Sequence, residues 1–396
     1  MKILYHHRTQ AEDGQAVHIR ALQDAWRELG HEVVEFSLVS RSRPSEPSYS
    51  GANLPAPSRW SAVGRLPRFA RELAEYSYTA FARPRLARAI RQAEPDFVYE
   101  RYAFGNAAGV MAARRTGVPL VLEVNSPMVH ELSRTRGLTF ARTADRMERY
   151  ILREATRVCA VTEVLADMLV DLGVDRRRIL ITPNGVHLEQ FEYEDRAAVR
   201  AIARRDLELP EGALVLGFVG YYRDWHRLDL VIDALPKLPG AVLALVGEGP
   251  AREALEARAR ERGVTARVRF CGRREHVAIP ALLPAFDLAL VPAINPYASP
   301  LKLHEYMAAG LATLAPDQPN LREVLTHGEN AWLVTADDGA ALEAALMALA
   351  SDPKLRANLG EAARRTIEER GLTWRGNAER VAREIARMRD TGEAPW

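Results

Sequence analysis

The sequence predicts an α/β protein made of two doubly wound parallel sheets. Three observations carry this expectation. Short apolar runs alternate with helical stretches from the first residues onward, the pattern of strands wound by helices. A charged stretch from about residue 191 interrupts that pattern, and the alternation then restarts with the same architecture. At 396 residues the chain is long for one hydrophobic core and comfortable for two.

The first strand is "KILY", followed by the helical "VHIRALQDAWREL" and by "GHEVVEFSL", a glycine stop before a second strand. Residues 40–92 are irregular and basic: a Pro/Ser-rich loop, then "LPRFARELAEYSYTAFARPRLARAIRQA", helical with a break expected at Pro84. The alternation resumes with "DFVYERY", a helix near 105–115, "VPLVLEVN", a helix near 140–154, "RVCAVT", a helix near 163–172 and "RILITPNG". "EYEDRAAVRAIARRDLELPEG" reads as a linker. Beyond it come "LVLGFVG", a helix over 228–235, "AVLALVG", a helix over 251–262, "RVRFCG", "LALVPA", a helix from 300, "ATLAP", "AWLV" and closing helices. Two such domains facing each other would place strand C-terminal ends on both sides of one cleft, where these folds bind ligands.

The net charge of +2 offers no reason to expect nucleic acid as a partner. Cys159 and Cys271 cannot build a disulfide framework or a zinc site alone, so a reducing cytoplasm is expected. No apolar run is long enough to span a membrane, and "MKILYHH" is too short for a signal-peptide core. The basic 40–92 segment fits either peripheral contact with an anionic inner membrane face or a solvated arginine face on a packed helix. Lysine occurs only at Lys2, Lys237, Lys302 and Lys354.

One of those lysines lies in the densest motif, "PYASPLKLHEYMAAG". Ser299 can cap a helix that Pro300 and Leu301 open, with Lys302 in the first turn and Glu305 three residues on, on the same face. Unpaired N–H groups and the dipole at such a start attract phosphate, Lys302 suits a diphosphate, and Glu305 suits a ribose diol. An i,i+3 surface ion pair is the plainer alternative. Gly247 and Gly249 in "LVGEGP" permit close backbone approach to a nucleotide, and the backbone beside Gly272 and Arg273 in "FCGRRE" is placed to read a base edge.

With these segments assembled, "SPLKLHEYMAAGLATLAPDQPNLREVLTHGENAWLV" resembles the donor-binding segment of retaining family 4 glycosyltransferases, which have the GT-B fold. "FVGYYRDWHRLDLVIDAL", "LVGEGPAREALE", "ITPNGVHLEQF" and "DGQAVHIRALQDAWRELGHEV" match other family segments in order, and "TWRGNAERVAREIARM" is similar to the last helix, which crosses back to the N-terminal domain. The resemblance implies an acceptor-side domain over 1–190, completed by about 376–396, and a nucleotide-sugar-binding domain over 191–375. It implies transfer from a nucleotide-diphosphate sugar to a sugar, lipid-linked or small-molecule acceptor.

The same resemblance assigns roles. Lys302, Glu305 and Asn125 are the central candidates. Gly14 and Gln15 sit where the family's glycine loop approaches the donor phosphates, with His18 nearby. The family's diphosphate-clamping Arg and Lys fall at Tyr221 and His226, so Arg223 and Arg227 are expected to restore the charge. Tyr297 replaces a glutamate that often binds the donor sugar, and Asn125 replaces a histidine. Glu100, Arg101, Glu123 and Glu131 are acceptor-side candidates, with surface charge as the alternative. No D-x-D pair occurs, so no metal and no further cofactor are expected. A nucleotide-sugar 2-epimerase of the same fold and a non-catalytic subunit are the competing classes.

Overall fold

The computed structural model of the protein describes residues 1–9, 14–38 and 67–396. These residues form two compact units, Met1–Thr182 with Ala378–Trp396, and Pro183–Asn377.

The first unit is built on strands β1 (Lys2–His6), β2 (Glu32–Phe36), β3 (Phe97–Arg101), β4 (Leu120–Val124), β5 (Arg157–Ala160) and β6 (Ile179–Ile181). Its helices are α1 (Gly14–Glu28), α2 (Arg68–Ala93), α3 (Ala108–Thr116), α4 (Met128–Thr135), α5 (Ala141–Glu154) and α6 (Glu163–Asp171). The second unit contributes β7 (Leu214–Val219), β8 (Ala241–Val246), β9 (Val268–Phe270), β10 (Leu288–Leu290), β11 (Thr313–Pro316) and β12 (Trp332–Val334). Its helices are α7 (Arg196–Asp206), α8 (Leu228–Ala234), α9 (Arg252–Glu261), α10 (Ile279–Leu282), α11 (Leu301–Ala308), α12 (Pro319–Arg322), α13 (Gly339–Ser351) and α14 (Pro353–Arg370), and α15 (Trp374–Asp390) closes the chain.

Both sheets are parallel, ordered β2-β1-β3-β4-β5-β6 and β12-β11-β10-β7-β8-β9. The strands "LVLEV" and "AVLALV" are buried along their whole length, as helices on both faces require, and the first is apolar except for Glu123. In the second sheet the chain winds outward from β7 to β9, then returns to β10 on the other side of β7. Such a reversal opens a crevice at the strand carboxyl ends.

In the first unit, α1 buries His18, Leu22 and Trp26 at four-residue spacing. The Trp26 ring stands 4.8 Å from that of Tyr99, and its indole N–H donates to the Ala378 carbonyl at 3.1 Å. Arg157 is buried and donates to Glu384 at 2.7 Å and Glu393 at 2.6 Å. These contacts attach the second part of α15 to the first unit.

Three local expectations need correction. Pro84 does not break the helix: α2 runs through it. Tyr78, Ala82, Leu86 and Ile90 are buried along one face, and the Arg85 guanidinium donates to the Phe81 carbonyl at 2.8 Å beside the missing N–H. The charged "linker" contains α7, capped by the Asp195 side chain on the Ala198 N–H at 3.0 Å. Its Arg200 and Arg204 both pair with Asp287, at 2.6 and 2.8 Å, and Arg196 donates to the Ala309 carbonyl at 2.6 Å. The units also part at Thr182–Pro183 and not at 190–191: Val186 pairs with Thr373, and Phe191 is buried in the second unit's core.

Candidate functional site

In the second unit, the crevice between β7 and β10 is lined by the turn after β7 and by α11. Val219 ends β7, and its N–H donates to the Tyr306 hydroxyl at 2.8 Å, which fixes α11 to the strand end. Gly220 then adopts φ +143, and a Cβ there would lie 2.8 Å from the Lys302 ammonium, so only glycine leaves the lysine its place. Lys302 Nζ stands 3.8 Å from the Phe218 ring centroid and 3.5 Å from His226 Nε2. Burial pushes this ammonium down to about 7, with Glu305 partly opposing the shift. His226 is buried, and burial, Lys302 and Arg223 together push its imidazole down to about 2. It is a neutral neighbour of the lysine.

Glu305 is 6% exposed, and its Oε1 accepts from His276 Nε2 at 2.6 Å. The plain i,i+3 ion pair with Lys302 is therefore not what holds it. His304, between them, is buried, and burial lowers it to about 4. Ser299 does not cap α11. The N-cap is Pro300, no side chain caps the helix, and the Ser299 hydroxyl accepts from the Asn184 N–H at 3.1 Å. Asn184, from "PNGV", also donates through its amide to the Ser299 carbonyl, so this motif buttresses the approach to α11. Pro300 thus precedes the helix and Leu301 opens it. Tyr297 is buried in the preceding turn, whose carbonyls at Asn295 and Ala298 accept from Asn320 at 3.2 and 2.7 Å.

The remaining donor-side expectations divide. Arg223 is exposed, with its guanidinium 5.0 Å from the centroid of the Tyr221 ring. Arg227 is committed elsewhere, pairing with Asp229 at 3.2 Å and Asp337 at 2.6 Å, which removes it from the expected clamp. Gly247 is needed for loop packing: with φ +142, a Cβ there would overlap the Gly220 carbonyl oxygen. One at Gly249 would overlap the Tyr222 backbone. The three turns are joined in series, the Gly220 N–H donating to Val246 and that of Gly247 to Gly272, each at 2.9 Å. Arg273 follows in the same turn as Gly272 and is exposed.

The first unit gathers a second cluster around Glu123 on β4. This carboxylate is 1% exposed. It accepts from His18 Nε2 at 3.2 Å, from Arg101, from Asn125 Nδ2 at 2.5 Å and from the Tyr5 hydroxyl at 3.4 Å. Burial alone would raise it, but His18 and Arg101 outweigh burial and hold it well below the usual carboxylate range. An ionised carboxylate only accepts, so the Asn125 amide nitrogen must face it and the carbonyl oxygen is turned outward.

Glu100, next to Arg101, points to the opposite face of β3, as strand alternation demands. It is fully buried, within 2.7 Å of His6 Nδ1 and 3.4 Å of Asn106 Nδ2, and is an internal group, not an acceptor contact. Glu131 lies half-buried in the first turn of α4. Gly14 opens α1 and Gln15 is exposed on it.

Among the described residues, no group of three or more His, Cys, Asp or Glu is placed to hold a metal ion. No described helix is long and apolar enough to cross a membrane. Of the basic 40–92 segment, residues 40–66 lie outside the described residues, and the rest forms most of α2. Two residues central to this geometry, His276 and Asn184, are absent from the sequence-based candidates. His276 lies 29 positions from Glu305, and no spacing rule links them.

Residues 13–190 match the family model "Glycosyltransferase Family 4", and residues 199–366 match "Glycosyl transferases group 1". The D-inositol 3-phosphate glycosyltransferase of Salinispora tropica is 30% identical over 313 residues, covering 73% of this chain. The match covers 63% of that relative, so the chain spans less than two thirds of its length. The namesake enzyme of Actinosynnema mirum is 30% identical over 316 residues, 74% of this chain and 73% of the relative. Anabaena HepE, crystallised with UDP, superposes with a TM-score of 0.73 at 18% identity, covering 98% of this chain and 100% of that one.

Proposed function

The chain belongs to the glycosyltransferases of Family 4 and group 1 and has their GT-B fold; we propose on that basis that it moves a sugar from a nucleotide-diphosphate sugar to an acceptor hydroxyl, with retention at the anomeric carbon. The observation that carries this proposal is the second unit's crevice, where α11 brings a half-buried cation and a buried carboxylate to the reversal point of the sheet.

In this reading the uncapped start of α11 and Lys302 receive the diphosphate, and Glu305 accepts from the ribose hydroxyls. The turn at Gly272 and Arg273 faces the base, Tyr297 bears on the donor sugar, and Arg223 and neutral His226 flank the phosphates in place of the family's clamp. The bond from the anomeric carbon to the leaving phosphate oxygen breaks while the acceptor oxygen bonds to that carbon on the same face. The acceptor proton passes to the departing phosphate. Negative charge grows on that phosphate, so a fixed cation beside it lowers the barrier electrostatically. No metal is needed for this step.

Asn125, oriented by Glu123, offers a carbonyl oxygen to a substrate hydroxyl, and Arg101 is fixed beside it. Glu131 and Gln15 complete the acceptor-side and phosphate-side assignments. The acceptor is proposed to be a polysaccharide or lipid-linked sugar at the inner membrane face. Helix α2 supports this with exposed Phe69, Leu73 and Phe81 beside exposed Arg68, Arg85 and Arg88.

A thermal-shift panel of UDP, GDP, ADP and TDP sugars tests the donor assignment, because a ligand of the folded state raises its stability by RT ln(1 + [L]/Kd). One nucleotide class should stabilise the protein, and Glu305→Ala should lose most of that shift. NMR of the donor alone should show no change at C2, and an epimerised sugar would overturn the transferase assignment.

A further inference from the structure

We infer that His276 is the positioning residue that makes Glu305 a ribose reader, and through it the site tells a ribonucleotide from a deoxyribonucleotide. This rests on the assignment of Glu305 as the ribose ligand.

Glu305 sits on α11 with nothing on its own helix to set its carboxylate plane. Lys302, three residues earlier, is drawn away to the Phe218 ring and the Gly220 turn. A glutamate's terminal torsion is broad and roughly two-fold, so an unrestrained carboxylate would present its oxygens in many orientations. His276 removes that freedom. It reaches Glu305 from a different element, the short turn His276–Ala278 that follows the Gly272–Arg273 loop, and bonds one oxygen at 2.6 Å.

The count of lone pairs then matters. A carboxylate has about four acceptor positions, and the imidazole N–H takes one of them on Oε1. The second oxygen and the remaining position of the first still accept two neighbouring hydroxyls. With the plane fixed, those positions are those of a bidentate acceptor for a cis-diol. A single hydroxyl, as in a deoxyribose, would leave one of them unpaired in a nearly buried site.

His276 also links two recognition tasks. Its side chain is 42% exposed, so the ring stands at the open edge of the site and is not a core packing group. It follows Arg273 by three residues, on the stretch placed to face the base. A nucleotide that seats its base against this turn therefore meets a carboxylate already aligned by the same turn.

The test compares UDP with 2′-deoxy-UDP by calorimetry on the full chain, using wild type, His276→Ala, His276→Gln and Glu305→Ala. If UDP does not bind, the corresponding ribo and deoxy pair of ADP, GDP or TDP is used. Wild type should prefer the ribonucleotide by about ten-fold or more, in line with loss of a hydrogen bond to a charged group. His276→Ala should weaken the ribonucleotide about ten-fold, leave the deoxy form nearly unchanged and so collapse the preference. His276→Gln, which keeps an N–H of similar reach, should restore most of it. A preference undiminished in His276→Ala, with Glu305→Ala abolishing it, overturns the role of His276 alone. A preference that survives Glu305→Ala, or absence of any ribonucleotide binding, overturns the ribose assignment and this inference with it.

Discussion

Lys302 gives the donor site a pH dependence whose sign and size follow from its surroundings. Burial against Phe218 and neutral His226 holds the ammonium near pH 7, well below an ordinary lysine. In the empty protein Lys302 is charged below that value and neutral above it, so binding a diphosphate above pH 7 requires taking up a proton. A sugar nucleotide such as UDP-glucose has no phosphate titration in this range, and His226 stays neutral throughout. If only the charged form binds, Kd scales as 1 + 10^(pH − pKa). Between pH 6 and pH 8 this is about a ten-fold weakening, or about 1.4 kcal/mol. Calorimetry of UDP-glucose in buffers of different ionisation heat, or of whichever sugar nucleotide stabilises the protein, should show close to one proton taken up at pH 8 and none at pH 5.5. Lys302→Met should bind weakly and with a flat profile. A flat wild-type profile, or a slope that persists in Lys302→Met, would rule out Lys302 as the group that takes up the proton. In the empty protein the sign reverses: the unfolded chain holds the proton up to about 10.5, so this group's contribution to stability rises with pH between about 7 and that value.

Other perturbations should act as follows. Glu123→Gln should cost about 3–5 kcal/mol in urea unfolding at pH 7, because Arg101 loses its buried counter-charge. The wild-type carboxyl is held low, so its stabilisation is full above the unfolded value of about 4.5 and is lost on acidification, and the variant should lose that acid-dependent component. Gly247→Ala combines a φ of +142 with overlap of the Gly220 carbonyl, and should lower unfolding stability by about 1–3 kcal/mol while blunting the nucleotide-induced thermal shift. A chelator should leave turnover unchanged, measured as release of the nucleoside diphosphate. Replacing Phe69 and Leu73 by serine should weaken co-sedimentation with anionic vesicles without altering donor affinity.

Much of the architecture is visible in residue periodicity, because strands buried on both faces must be continuously apolar, as in "AVLALV". The pairing of Lys302 and Glu305 on one helical face is equally local, since three-residue spacing determines it. What surrounds them is not local. The partner of Glu305 is His276, and the atom that forbids a side chain at Gly247 belongs to Gly220. Those contacts arise only when the turns after β7, β8 and β9 stack. Charge misleads for a related reason. Arg196, Arg200 and Arg204 read as a solvated linker, yet their four-residue spacing aims guanidiniums at carbonyls and at Asp287 inside the second unit. Strand alternation separates Glu100 from Arg101 although they are adjacent, and sends only the arginine to Glu123.

The first unit is discontinuous: it closes on residues that follow the whole second unit in the chain. The carbonyl that receives the Trp26 indole belongs to Ala378, and the carboxylates that neutralise buried Arg157 belong to Glu384 and Glu393. During synthesis the second unit, one uninterrupted stretch, can complete itself while the first still waits, although the first left the ribosome earlier. A fragment ending at Thr182 should therefore expose an unpaired arginine and be degraded or aggregate. Adding residues 374–396 as a separate peptide should rescue its solubility, and failure to do so would show that the first unit needs no late partner.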